Sequence, residues 1–245
     1  MRNLLWWAVT VPLLPLLLPQ AWYTRRTALR LPPASGEPQG MAGGSLPGPP
    51  LRLLLLGEST VVGVGVALLE NALAGQLAQT LAARLERPVT WRICGENGMG
   101  VHQAAQRLLP QALCEPADWV LLVFGVNDTT GLSSRRRWSA GLERMIVVLQ
   151  DSGARVALSA VPALQHFHGL PRLLRTVLGW RGALLDDWAR RLAARLGASH
   201  YPMGLSVSED YLAEDGYHPS ALGYRVWAEA LADQLIAEGR CPPPA

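Results

Sequence analysis

The sequence predicts an α/β fold, a mainly five-stranded parallel sheet with helices on both faces, preceded by an N-terminal hydrophobic helix. Three observations predict it. Short apolar runs such as residues 51–56 have strand length, amphipathic stretches of helical length separate them, and a glycine-led loop follows each of the three sharpest runs. At 245 residues, 49% hydrophobic and 17% charged, the chain supports one ordinary domain with a sizeable core and no second full domain.

Residues 1–24 come first. No charged side chain occurs from Leu4 to Tyr23, and this run is long enough to reach across a bilayer, although Pro12, Pro15 and Pro19 interrupt it. Pro19-Gln20-Ala21-Trp22 is a poor match to a small-residue cleavage site, so the segment reads as an uncleaved membrane anchor. Trp6, Trp7, Trp22 and Tyr23 suit the interface of a spanning or a surface-lying segment. Arg25, Arg26 and Arg30 follow the run, whereas only Arg2 and the amino terminus precede it. The positive-inside rule therefore keeps the domain that follows in the cytoplasm; the alternative is export. Residues 25–50 have the Pro/Gly composition of a linker, the domain is expected at residues 51–239, and residues 240–245 form a tail.

Within the domain, residues 51–56 read as a first strand covered on both faces. A helical pattern follows over residues 66–85, then a strand over 89–94, a helix over 101–113 and a strand over 119–124. Next come a helix over residues 138–150, a strand over 154–160, a loop over 162–179 and a helix over 181–196. The domain closes with a short strand over 199–203 and a helix over 219–237, Pro219 standing in its first turn.

Such sheets carry ligands beyond the carboxyl ends of their strands. Gly57-Glu58-Ser59-Thr60, Gly95-Glu96-Asn97-Gly98 and Gly125-Val126-Asn127-Asp128 all lie at those ends, and Asp215-Gly216-Tyr217-His218 precedes the last helix. A serine needs an adjacent base to act as a nucleophile, and histidine titrates near the working pH; His218 fills that role for Ser59. Asp215, three residues upstream, reaches the other ring nitrogen. The backbone N–H groups of Ser59 and Gly98 and the side-chain amide of Asn127 are candidate donors to a developing oxyanion.

These blocks, in this order and covering nearly all of residues 51–237, resemble the SGNH (GDSL-type) hydrolase family. The resemblance implies a flavodoxin-like three-layer α/β/α fold and metal-free, cofactor-free esterase, lipase or thioesterase chemistry. Two departures stand out: Glu58 occupies a position where the family usually has Asp, which should alter loop packing more than activity, and the glycine block is loose, with Gly95 as a fallback for Gly98. The G-x-S-x-G elbow is disfavoured because Val61 stands where its second glycine belongs.

The expected activity is cleavage of a carboxylic ester through an acyl-enzyme on Ser59. The alternatives are acyl transfer to a sugar or lipid acceptor at the same site, or a non-catalytic membrane-tethered binding module. The partners are a small-molecule or lipid ester and, through the N-terminal segment, a membrane. All 22 basic residues are Arg, yet no zinc-finger spacing, RNP-like motif or long basic run supports nucleic-acid binding. His166 and His168 lack a neighbouring carboxylate or thiol as a metal pair, and Asp186 and Asp187 point apart on a helix. Arg135-Arg136-Arg137 reads as a solvated helix start, with contact to lipid phosphates or an anionic substrate as its functional alternative, and Trp138, Trp180 and Trp188 read as core or rim packing. Cys94, Cys114 and Cys241 lack a metal or redox spacing and read as buried free thiols.

Overall fold

A computed structural model describes residues 2–203 and 208–238; the boundary at 239 and the 240–245 tail lie outside the described residues, as does Cys241. The elements in chain order are α1 (Arg2–Thr27), β1 (Gln39–Ala42), β2 (Leu51–Gly57), α2 (Leu73–Leu85), β3 (Val89–Gly95), α3 (Val101–Arg107) and α4 (Leu109–Ala112). They continue with β4 (Trp119–Val123), α5 (Val126–Thr130), α6 (Arg135–Asp151), β5 (Arg155–Ser159), α7 (Arg172–Leu196), β6 (Ser199–Tyr201) and α8 (Ala221–Ala237). One sheet runs β1-β3-β2-β4-β5-β6, its last five strands parallel and β1 antiparallel on the edge.

Strand β2 is central because every residue but Arg52 is buried, and alternate side chains feed opposite cores. Leu54 and Leu56 face α3, α6 and α7, whereas Leu51, Leu53 and Leu55 face α2 and α8. Burying each such leucine contributes roughly 2 kcal/mol. Gly57 ends the strand because a Cβ there would collide with the Val123 carbonyl of β4. The chain order reverses between β3 and β4 on either side of β2, so the loops after β2 and β4 open side by side.

Several of these expectations need correction. Residues 39–42 are a strand and not linker: Gln39 to Ala42 pair with Arg92 to Val89, and Ala34 and Ser35 donate N–H groups to Val62 and Ala67. Helix α7 starts at Arg172, well before residue 181, because Gly179 lets the helix press on the Gln165 backbone nitrogen, 2.9 Å from where a Cβ would sit, instead of stopping it. Helix α8 starts at Ala221, capped by Ser220, which accepts the Gly223 N–H at 3.1 Å, so Pro219 precedes the first turn instead of standing in it. The α2 pattern begins at Leu73, after a short 3₁₀ turn at Leu69–Asn71. Cys94 is half-buried and Cys114 exposed, so the pair is less buried than expected.

Helix α1 is long and apolar enough to cross a membrane, but it lies against α7. Trp6 is not interfacial here: its ring is wholly buried and its Nε1–H donates to the Val177 carbonyl at 3.0 Å. Leu13 and Leu17 join the same core as Phe167, Leu174 and Val177, while Leu4, Leu5, Val11, Leu16 and Leu18 stay exposed.

Candidate active site

The turn after β2 carries Ser59 to the rim, and the turn before α8 carries Asp215 and His218 to meet it. Ser59 Oγ stands 2.9 Å from His218 Nε2, and His218 Nδ1 stands 2.6 Å from Asp215 Oδ2. A carboxylate only accepts, so Nδ1 donates and Nε2 is left to take the serine proton. The other carboxylate oxygen, Asp215 Oδ1, accepts the backbone N–H groups of Tyr217 at 2.9 Å and His218 at 3.0 Å. Burial pushes the Asp215 carboxyl up, but the bonds from His218 and Tyr217 outweigh it and hold the group below the ordinary carboxylate range.

Tyr217 extends this turn. Its hydroxyl donates to the Gly169 carbonyl at 2.6 Å and its ring meets Phe167 edge-on, so the loop before α7 is fastened to the turn bearing His218. Tyr217 stands inside the Asp-to-His block, but no sequence pattern marks it as the fastener of a loop nearly 50 residues upstream. Phe124, Phe167, Leu212 and Trp227, together with Tyr217, give the cavity beside Ser59 a largely apolar wall; its volume is about 280 Å³.

Of the expected oxyanion donors, Ser59 and Asn127 line this cavity with His218. The Ser59 N–H meets no acceptor among the described residues. Gly98 has φ +81°, a left-handed conformation that favours glycine, and its flank is open; its neighbour Asn97 is the residue of that loop on the cavity wall. Gly95 is instead the last residue of β3, paired with Gly57 and packed on Val61 and Val62.

Glu58 explains how the Asn127 loop is held. Its buried carboxylate takes the Val126 N–H on Oε1 at 2.9 Å, and the Asn127 N–H on Oε2 at 3.0 Å together with the Asn127 side-chain amide. The second amide hydrogen of Asn127 has only a long contact, 3.4 Å from Nδ2 to the Met99 carbonyl. Asp128 fastens the next stretch, accepting from Val101 N–H at 2.8 Å and Ser133 Oγ at 2.6 Å.

Desolvation raises the Glu58 carboxyl to about 7, against the lowering effect of its N–H partners. A folded-state pKa above the unfolded value of 4.5 means that the native state binds the extra proton between those limits. The contribution is thus complete below about pH 4.5 and is lost as pH rises to about 7. Melting curves should show wild type losing stability relative to Glu58→Gln over this range, by on the order of 3 kcal/mol. A difference independent of pH would contradict the buried-carboxyl account.

Among the described residues no cluster of three metal-ligating side chains occurs, and His168 instead lies 3.6 Å from Glu209. Asp186 accepts from Val161 N–H at 2.9 Å and meets His200 at 3.0 Å, while Asp187 pairs with Arg190 and Arg191, so these two carboxylates do not form a common site.

A parallel sheet between two helical layers, with serine, histidine and carboxylate joined at its switch point, defines the class of α/β/α serine hydrolases. Residues 55–226 match the family model of the GDSL-like Lipase/Acylhydrolase family, and the chain belongs to that family. No curated protein matches its sequence. Among solved structures it is similar to a lipase/acylhydrolase from Enterococcus faecalis, with 20% identity and TM-score 0.63 over 80% of this chain and 99% of that one. It is also similar to TesA, with 19% identity and TM-score 0.62 over 76% and 98%, and to the acetyl xylan esterase AlAXEase, with 16% identity and TM-score 0.62 over 76% and 100%. At these identities the structures speak to the fold.

Proposed function

We propose that the chain is a membrane-associated serine esterase that cleaves a carboxylic ester through an acyl-enzyme on Ser59. The observation that carries this reading is the unbroken Ser59–His218–Asp215 chain of hydrogen bonds. Ser59 attacks the ester carbonyl while His218 takes its proton, and Asp215 stabilises the imidazolium. The negative charge that builds on the carbonyl oxygen meets the N–H groups of Ser59 and Gly98 and the Asn127 amide, which exchanges its long contact to Met99 for the oxyanion. His218 then protonates the leaving alcohol, and water, activated by the same imidazole, releases the acid. Membrane association rests on α1, with the domain on the cytoplasmic side.

The cavity volume of about 280 Å³ is at the small end for ligand sites, and its apolar walls favour a short to medium acyl group. A fluorophosphonate probe should form an adduct on Ser59, located by peptide mapping, and p-nitrophenyl esters should be hydrolysed fastest at short to medium acyl length. Neither adduct nor p-nitrophenol release would overturn the reading.

A further inference from the structure

Opposite faces of α6 and α7 leave a groove of about 620 Å³ whose walls carry Arg135, Arg136, Arg191 and Arg195, with Trp188 among them. Two of these charges are neutralised in place: Arg195 pairs with Glu143 at 3.0 Å, and Arg191 with Asp187 at 2.9 Å. Arg135 and Arg136 have no carboxylate partner among the described residues. They also occupy the first turn of α6, whose exposed N–H groups already favour an anion, so two cations there repel the helix end unless an anion joins them. The groove is a concave cationic surface that the described residues neutralise only in part.

A second observation lies behind its wall. Arg181 is 2% exposed, has no carboxylate partner, and leaves its buried Nε–H without an acceptor among the described residues. It is held by the Ser133 carbonyl at 2.6 Å and by Asn3 Oδ1 of α1 at 2.8 Å. Its guanidinium lies 5.3 Å from the Trp6 ring of α1 and 5.3 Å from the Trp188 ring of the groove. Arg135 approaches the same Trp188 ring at 5.7 Å. This chain of contacts joins the arginine groove to the first turns of α1, where Leu4, Leu5, Trp7, Val9 and Val11 are exposed.

We propose that the α6–α7 groove binds the phosphates of anionic phospholipids at a bilayer surface, with the adjoining exposed side chains of α1 entering the acyl region beside them. The apolar helix distinguishes this occupant from a soluble phosphate: a free anion has no use for the exposed Leu4, Leu5, Trp7, Val9 and Val11 next to its site. Guanidinium groups suit the task because they bind phosphate oxygens through paired N–H donors.

The test uses the full chain, transferred from detergent to vesicles of phosphatidylcholine alone or with phosphatidylglycerol, and read by flotation. The quantity compared is the gain in binding that phosphatidylglycerol confers. Arg135→Ala with Arg136→Ala should reduce that gain by about 30-fold, whereas Arg84→Ala with Arg225→Ala, removing equal charge from the α2–α8 layer, should leave most of it. Both doubles should melt near the wild-type temperature. Salt should abolish the gain in wild type. Equal losses in the two doubles, or no gain with phosphatidylglycerol in wild type, would overturn the proposal. So would a groove variant that loses stabilisation by inorganic phosphate but keeps its vesicle binding, since the groove would then serve a soluble anion.

Discussion

Ser59→Ala should abolish ester turnover, lowering kcat by about 10⁶-fold, while the protein melts at nearly the wild-type temperature. The hydroxyl meets His218 Nε2 at 2.9 Å and sits at a residue that is largely buried but borders the cavity. Deleting one oxygen there removes the attacking atom and leaves the apolar packing around it in place. The cavity and the N–H donors survive in the variant, so substrate should still bind with a KM within a few-fold of wild type, and turnover alone should collapse. Steady-state kinetics with a short p-nitrophenyl ester checks this split. Residual turnover within about tenfold of wild type would mean that Ser59 is not the nucleophile in the sense of the proposed reaction.

Asp215→Asn should lower kcat by about 10⁴-fold, and the geometry says why the isosteric change is not benign. Oδ1 is committed to two backbone N–H groups, so an asparagine must keep its carbonyl oxygen there. Its NH₂ is then forced against His218 Nδ1, where only an acceptor can be met. The imidazole must move its proton to Nε2, the atom that has to receive the proton of Ser59. The signature is a loss in kcat with the fluorophosphonate adduct forming slowly, in proportion, at an unchanged position. An Asp215→Asn enzyme with normal labelling kinetics would show that His218 needs no such orientation. The same substitution removes a carboxylate held below the ordinary range. Its stabilising contribution is present above the unfolded pKa near 3.8 and vanishes as pH falls through the lower folded value, so the variant is less stable than wild type at neutral pH and converges with it in acid.

The fold class was legible because strand-length apolar runs alternate with helical stretches, and the six-stranded sheet departs from expectation only at β1. Gln39-Gly40-Met41-Ala42 has no alternation and no β-branched residue; it is a strand because the edge of β3 offers it hydrogen bonds, which no local pattern records. The early start of α7 was hidden by Gly179, where the expected loop over residues 162–179 ends, although this glycine serves close packing inside the helix. That Ser59, Asp215 and His218 would meet was legible because the residue types that the proposed acyl transfer requires are few and the parallel sheet collects strand ends onto one rim. Glu58 was visible as an oddity, but its three N–H partners come from a loop nearly 70 residues on, a relation that only the folded β2–β4 pairing creates. Its longer side chain still fits as an acceptor for that loop, and at pH below about 7 the loop loses part of its anchor while the core gains by the proton.

The attachment of α1 has a consequence for reach. With Trp6 sealed into the core, Ala34 and Ser35 bonded to the loops after β2 and residues 39–42 woven into the sheet, the chain between helix and domain has little slack. A tethered enzyme sweeps a volume and can search the solution above its membrane. Under the membrane association proposed above, the hydrolase would be mounted rather than leashed: its orientation would be inherited from α1, which packs on α7, the height of Ser59 relative to that helix would be fixed, and the substrates it met would be those that arrive at that height.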